Sequence, residues 1–162
     1  MVNHTRLIVF TDLQGTLLDQ TSHSQHSSLP ALRKLQALKM PVVLCSRQTR
    51  AEVDPLWREL AHEEPYIFEN GGAICFMPGR APFEDESADA EGKLKIIELG
   101  SRIGALRGGL AEVARRLNIR VRSFAEMNAK DAAEFTGLTR QQAQAAALRE
   151  YDLFWFEEPG DP

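Results

Sequence analysis

Apolar residues along the chain fall into short continuous runs, and these alternate with stretches of helical periodicity. "RLIVF" (6–10) ends at Thr11-Asp12 and reads as a strand buried on both faces. After the Ser/His/Gln-rich loop "DQTSHSQHSS", the stretch "LPALRKLQALK" carries a stripe at Leu32, Leu35 and Leu38. Ser28 is placed as its N-cap and Pro30 in its first turn. "PVVLC" (41–45) reads as a second buried strand, "RQTRAEVDPLWRELAH" as a helix with Pro55 at its start or at a bend, and "YIF" (66–68) as a third strand. Strands and helices alternating at this spacing predict a parallel α/β sheet of the doubly wound kind.

The character changes at "ENGG". "AICFM" reads as a strand, "PGRAPFEDESADAEG" as an acidic, mobile connection, and "KLKIIELG" as a half-buried strand. A helix from about Ser101 carries an apolar face at Ile103, Leu106, Leu110, Val113 and Leu117. "IRVRSF" alternates, "LTRQQAQAAALRE" is a helix with Thr139 and Gln142 as its capping box, and "DLFWF" is a last strand. Residues 1–72 are therefore expected to form one α/β unit, and 73–162 a second with a more antiparallel character.

Composition narrows the function classes. The 162 residues are 43% apolar and 26% charged, as in an ordinary globular protein. A net charge of −4 with dispersed basic residues gives nucleic acid no footing. The apolar runs are strand-length, and no basic segment precedes a long apolar one near the N-terminus, so a cytoplasmic protein without membrane spans is expected. Cys45 and Cys75, inside apolar runs, read as buried reduced thiols. Trp57 and Trp155 read as core or interface aromatics. The four histidines show no metal-ligand spacing and read as loop or surface residues, with the pair His23 and His26 as the weak exception.

Ligands of open α/β sheets gather at the carboxyl ends of the strands. Three segments end there: Asp12, Cys45-Ser46, and Glu69-Asn70-Gly71-Gly72. In "TDLQGT", Gly15 permits a tight turn whose N–H groups can form an anion nest, and Asp12 is placed to attack phosphorus. The alternative is an Asp that caps a turn. Thr16 and Ser46 offer hydroxyls to phosphoryl oxygens.

"FTDLQGTLLD" resembles the first motif of the haloacid dehalogenase-like (HAD) phosphatases, Asp-x-Asp-Gly-Thr, with Gln14 in place of the second Asp. "VVLCSRQTRAEV", "YIFENGGAI" and "TGLTRQQAQAAALREYD" extend the resemblance to the mannosyl-3-phosphoglycerate phosphatase branch. The resemblance implies a HAD-like core, cut short, with an inserted αβ cap domain. It implies Mg²⁺-dependent hydrolysis of mannosyl-3-phosphoglycerate or a related sugar phosphate through an aspartyl phosphate. Asp12 would be nucleophile and metal ligand, the Gln14 carbonyl a second ligand, and Ser46 a phosphoryl ligand. Arg149, in the "REYD" match, would suit the glycerate carboxylate, and a helix C-terminus explains it equally.

Departures from the family pattern bear on activity. The family's second Asp is its acid/base, and the amide of Gln14 replaces it. Gln48 stands where relatives tend to carry Lys. Segments resembling the family's later Lys and acidic pair are not found after Phe156. Lys93, Lys95 and Lys130 read as solvated surface, and Asp161 as part of a frayed tail. Weak or absent Mg²⁺ binding and impaired turnover are therefore expected. The alternatives are a catalytically inactive phosphoester-binding or interaction module, or one piece of a split enzyme. Strand 6–10 is expected at a sheet edge, inviting a homodimer or a complementary chain.

Overall fold

A computed structural model describes residues 7–22, 24–77, 89–91 and 94–157. Strands β1 (Val9–Asp12), β2 (Val42–Cys45) and β3 (Tyr66–Phe68) are parallel neighbours joined through helices α1 (Leu29–Ala37) and α2 (Arg50–Glu59). Beyond β3 the sheet continues but reverses direction. β4 (Ala73–Phe76) pairs antiparallel with β3, and β5 (Asp89–Glu91) and β6 (Leu94–Glu98) follow, giving one six-stranded sheet of order β1-β2-β3-β4-β6-β5. Helix α3 (Ile103–Leu117) leads to β7 (Val121–Ser123). Helices α4 (Ala129–Thr136) and α5 (Arg140–Ala147) come next, and β8 (Trp155–Glu157) then pairs antiparallel with β7.

Strand order 1-2-3 with right-handed crossovers places both connecting helices on one side of the sheet. That side is the core. Val42, Leu44, Tyr66 and Phe68 meet Leu32 of α1 and Val53 and Trp57 of α2 in one buried cluster. The aromatic rings form a chain: Trp57–Tyr66, Tyr66–Phe68 and Phe68–Tyr151 have centroids 5.8, 5.9 and 5.8 Å apart. Such tilted pairs contribute about 0.5–1.5 kcal/mol each beyond burial. The chain carries the core from α2 to a residue far along the sequence. Gly72 makes that approach possible, because a Cβ there would lie 2.4 Å from the Tyr151 Cβ. A second, smaller cluster of Phe124, Ala132, Ala143 and Ala146 joins α4 to α5, and Thr49, the N-cap of α2, donates to the Ala145 carbonyl at 2.9 Å.

Most expected elements are present, with informative differences. The first strand is not buried on both faces: Leu7, Ile8 and Phe10 are 58%, 56% and 62% exposed. β1 is an edge strand, as expected, and among the described residues α1 and α2 cover only the opposite face of the sheet. The Ser28 hydroxyl does not cap α1; it donates to the Leu17 and Gln25 carbonyls. Pro55 lies inside α2. The acidic connection falls largely outside the described residues, but Asp89–Glu91 pair with β6 rather than continuing it. The face of α3 is only partly covered: Ile103, Leu106 and Leu110 are half-buried, and Val113 and Leu117 are exposed. Helix α4 was not anticipated, although Asn128 caps it and Gly137 ends it in the left-handed region. Trp57 is core, and Trp155 is half exposed. The readings of His4, His23, Lys93 and Asp161 lie outside the described residues. No helix among the described residues is long and apolar enough to cross a membrane.

His62 is buried rather than at the surface. Its Nε2 lies 2.7 Å from the Val42 carbonyl, which can only accept, so this nitrogen carries the proton. Burial pushes the imidazole below its ordinary value, against smaller opposing effects of the Val42 carbonyl and Glu64. The unfolded chain therefore takes up the proton first, and this contribution to stability, present above about pH 6.5, is lost as pH falls. The urea midpoint should drop between about pH 7.5 and about pH 5.5, and His62→Gln should flatten that drop. An equal drop in the variant would refute the assignment.

Candidate functional site

The parallel register Asp12↔Cys45 and Cys45↔Ile67 brings the carboxyl ends of β1, β2 and β3 level. Each is followed by a loop that the chain fixes internally. After β1, buried Leu13, Leu17 and Leu18 anchor the turn. Leu18 N donates to the Leu13 carbonyl at 2.7 Å and Gly15 N to the Leu18 carbonyl at 2.8 Å, with Gly15 at φ 77°. The Gly15 amide is thereby turned inward and not toward an anion. These two bonds leave the Gln14 carbonyl without a backbone donor among the described residues. Asp12 is exposed, and its Oδ1 accepts from Leu13 N at 2.8 Å, so Oδ2 is the oxygen left for chemistry.

After β2, Ser46 is buried, with its N–H on the Ile67 carbonyl. Its hydroxyl accepts from Gln48 N at 3.0 Å and donates to the Gln48 side chain at 3.2 Å. After β3, Glu69, Asn70 and Gly71 all have positive φ, at 48°, 55° and 89°. Asn tolerates this region and Gly is at home there, but Glu is not. The Glu69 carboxylate offsets the cost: it is 1% exposed and accepts from Glu150 N at 3.0 Å and Tyr151 N at 2.7 Å. The second and third loops are also stitched together, Glu69 N to the Gln48 carbonyl and Asn70 N to the Ser46 carbonyl.

A cleft of about 570 Å³ opens between the loops, with Asp12, Gln14 and Gly15 on one wall, Ser46 and Arg47 on another, and Asn70 and Gly71 on the third. Of the expected site residues, Asp12, Gln14 and Ser46 meet here. Thr16 is exposed on the first loop and is not among the lining residues. Arg149 does not line the cleft either. Its side chain is 7% exposed, donates to the Arg47 carbonyl at 3.2 Å, pairs with Asp152 at 3.3 Å and stacks on Phe154 at 3.8 Å. Burial holds its pKa below the ordinary arginine value, with Asp152 the largest opposing influence. Cys45 is a free thiol on the cleft wall; burial first, then Asp12, push its pKa up, so it stays protonated.

The segment holding Asn70 was expected at the strand ends, without a role for the residue itself. Sequence reasoning assigned no role to Arg47 or Asp152, and neither carried a signal of its own.

For a divalent cation the described residues supply one cleft carboxylate, Asp12, and one unused carbonyl, Gln14. No three His, Cys, Asp or Glu side chains cluster among them. This fits an ion that keeps most of its waters, as Mg²⁺ does, and not a caged one.

The family model for haloacid dehalogenase-like hydrolase matches residues 9–105. The chain belongs to the haloacid dehalogenase-like hydrolases. Haloacid dehalogenase-like hydrolases generally use Mg²⁺. Within the family this chain is 36% identical, over 93% of its length, to a glucosyl-3-phosphoglycerate/mannosyl-3-phosphoglycerate phosphatase of Methanococcoides burtonii. It is 30% identical, over 96% of its length, to one of Persephonella marina. The branch read from the motifs is thus supported. The match covers 56% and 57% of those relatives, so the chain spans about half their length. A HAD-superfamily phosphatase structure from Bacteroides thetaiotaomicron aligns with TM-score 0.54 at 17% identity, over 85% of this chain and 50% of that one. This last likeness shows the HAD-like α/β fold.

The Glu69 carboxylate yields a stability prediction. Glu69→Ala leaves the Glu150 and Tyr151 amides without an acceptor and should cost roughly 3 kcal/mol. Denaturant unfolding and hydrogen exchange at residues 150 and 151 measure it. An unchanged midpoint with both amides still protected would show the carboxylate to be dispensable.

Proposed function

We propose that the cleft binds the phosphoryl group of a small phosphorylated sugar and that Asp12 is the nucleophile of a phosphomonoester hydrolysis that Gln14 slows. Glucosyl- and mannosyl-3-phosphoglycerate, the compounds named for the relatives, are the first candidates. The convergence of Asp12 and Ser46 on one cleft at the ends of parallel strands carries this reading. Asp12 Oδ2 attacks phosphorus, an O–P bond forms to the carboxylate, and the ester P–O bond to the 3-oxygen of the glycerate breaks. Water then attacks the same phosphorus, the aspartyl O–P bond breaks, and inorganic phosphate leaves. Ser46, whose hydroxyl is already fixed by Gln48, holds a phosphoryl oxygen. Mg²⁺, when bound, neutralises phosphoryl charge, and Asp12 with the Gln14 carbonyl would hold it.

The leaving alkoxide needs a proton and the attacking water must lose one. An amide does neither near neutral pH, and loss of a positioned acid/base costs about 10²–10⁴-fold. The full chain in Mg²⁺ should therefore turn over these substrates slowly or not at all. Gln14→Asp should recover only about tenfold or less, because the cleft has no second carboxylate and no Lys among its lining residues. Robust Asp12-dependent turnover by the unaltered chain sinks this reading. A much larger rescue would mean that charge comes from residues elsewhere.

We further propose that β1 receives a strand from a complementary polypeptide. In a parallel pair, alternate residues point away from the partner. Val9 N bonds the Pro41 carbonyl, which leaves the Phe10 backbone groups toward the open edge, beside the exposed Ile8 and Phe10 side chains. The matched region covers 56% of the Methanococcoides burtonii relative, and the remainder of that relative is the occupant favoured. Expressed separately and titrated in, it should protect the amides of β1 from exchange and form a one-to-one complex by light scattering. Protection of β1 in the chain alone, or a symmetric dimer of the chain, would overturn this.

A further inference from the structure

Asp12 is the cleft's only carboxylate and Arg47 its only cation among the lining residues. An anion brought within reach of Asp12 meets like charge, so a cation must offset that repulsion on the opposite wall. Arg149 cannot serve. Its guanidinium is buried, stacked on Phe154, and engaged with Asp152 and the Arg47 carbonyl, and its Nε is sealed from solvent with no acceptor. Gln48 is neutral, and its side chain is bonded to the Ser46 hydroxyl. Arg47, by contrast, has an exposed side chain on a backbone that Arg149 pins at 3.2 Å.

The same brace reaches the third wall. Asp152 Oδ2 accepts from Arg149 and also, at 2.6 Å, from Asn70 Nδ2. A carboxylate can only accept, so the Asn70 amide is fixed with its nitrogen toward Asp152, and its oxygen is the acceptor left for a ligand hydroxyl. One carboxylate on the segment after α5 thus orients residues on the loops after β2 and β3.

We propose that Arg47 is the anion-recognition residue of the cleft and that Arg149 and Asp152 are positioning residues holding Arg47 and Asn70 in place. The proposal rests on the reading of the cleft as a phosphoester site. The anion is either the phosphoryl group or the carboxylate of a glycerate moiety. Titration of the full ¹⁵N-labelled chain with inorganic phosphate, and separately with glycerate, distinguishes them. The unaltered chain should show shifts at the Ser46, Asn70 and Gly71 amides. Arg47→Ala should weaken binding about tenfold, the loss of one charge-assisted contact, and Arg47→Lys should recover part of it. Loss for phosphate assigns Arg47 to the phosphoryl group; loss for glycerate alone assigns it to the carboxylate.

Asp152→Ala should shift the Asn70 side-chain amide resonance and weaken the same anion. Asp152→Asn, which keeps an acceptor, should restore part of that affinity. Binding to Arg47→Ala as tight as to the unaltered chain would overturn the proposal while leaving the cleft reading intact. If the unaltered chain binds neither anion at these residues, the cleft reading falls and the proposal falls with it.

Discussion

A carboxylate sealed from water holds the two halves of this chain together. Glu69 sits at the end of β3 in a backbone conformation that its own side chain disfavours, and the amides of Glu150 and Tyr151 close on it from a segment more than eighty positions away. A buried charge is tolerable only when fully hydrogen-bonded. This one is satisfied by main-chain donors, which cannot be mutated away. The contact dictates what surrounds it. Gly72 must lack a Cβ because Tyr151 occupies that space, and Tyr151 completes the aromatic chain that begins at Trp57. With Tyr151 in place, Arg149 and Asp152 arrive at the cleft rim from the other direction.

The sheet distributes stability and function unequally. One face carries α1, α2 and the aromatic chain, and the carboxyl ends of its parallel strands carry the cleft. On the other face Ile8 and Phe10 lie exposed beside an edge that is unpaired among the described residues. Because Asp12 closes β1, the proposed nucleophile stands on an edge strand of the sheet. Anything that adds a strand to β1 would stiffen the segment bearing Asp12 as well as cover apolar surface, so a partner at this edge would also act on the cleft wall.

Local patterns were the legible part of the sequence. The strands at 42–45 and 66–68, the Thr139–Gln142 capping box and the turn after Asp12 each rest on nearby residues, and all are present. Position in the sheet was harder to read. "RLIVF" has the composition of a central strand, yet most of its apolar surface meets nothing among the described residues. The brace was invisible for a different reason. Asp152 and Asn70 are 82 positions apart, and nothing about either residue in sequence marks it as the other's partner. Arg149 was noticed for the right chemistry, a guanidinium suited to an oxygen pair, but the oxygens it finds belong to Asp152 and a main-chain carbonyl.

Two positions distinguish this cleft from the pattern its motifs resemble, and under the proposed reaction they bear on different steps. Gln14 leaves the geometry of the turn intact, since the bridge between Leu13, Gly15 and Leu18 uses no side chain of residue 14, and its amide would not transfer the proton the reaction needs. At positions 47 and 48 the change concerns binding. Gln48 spends its side-chain oxygen on the Ser46 hydroxyl, while Arg47 next to it is the cation among the residues lining the cleft. Under the proposed reading the two tasks are therefore separable in this cleft: anion binding would rest on Arg47 and the Arg149–Asp152 brace behind it, and proton transfer on position 14.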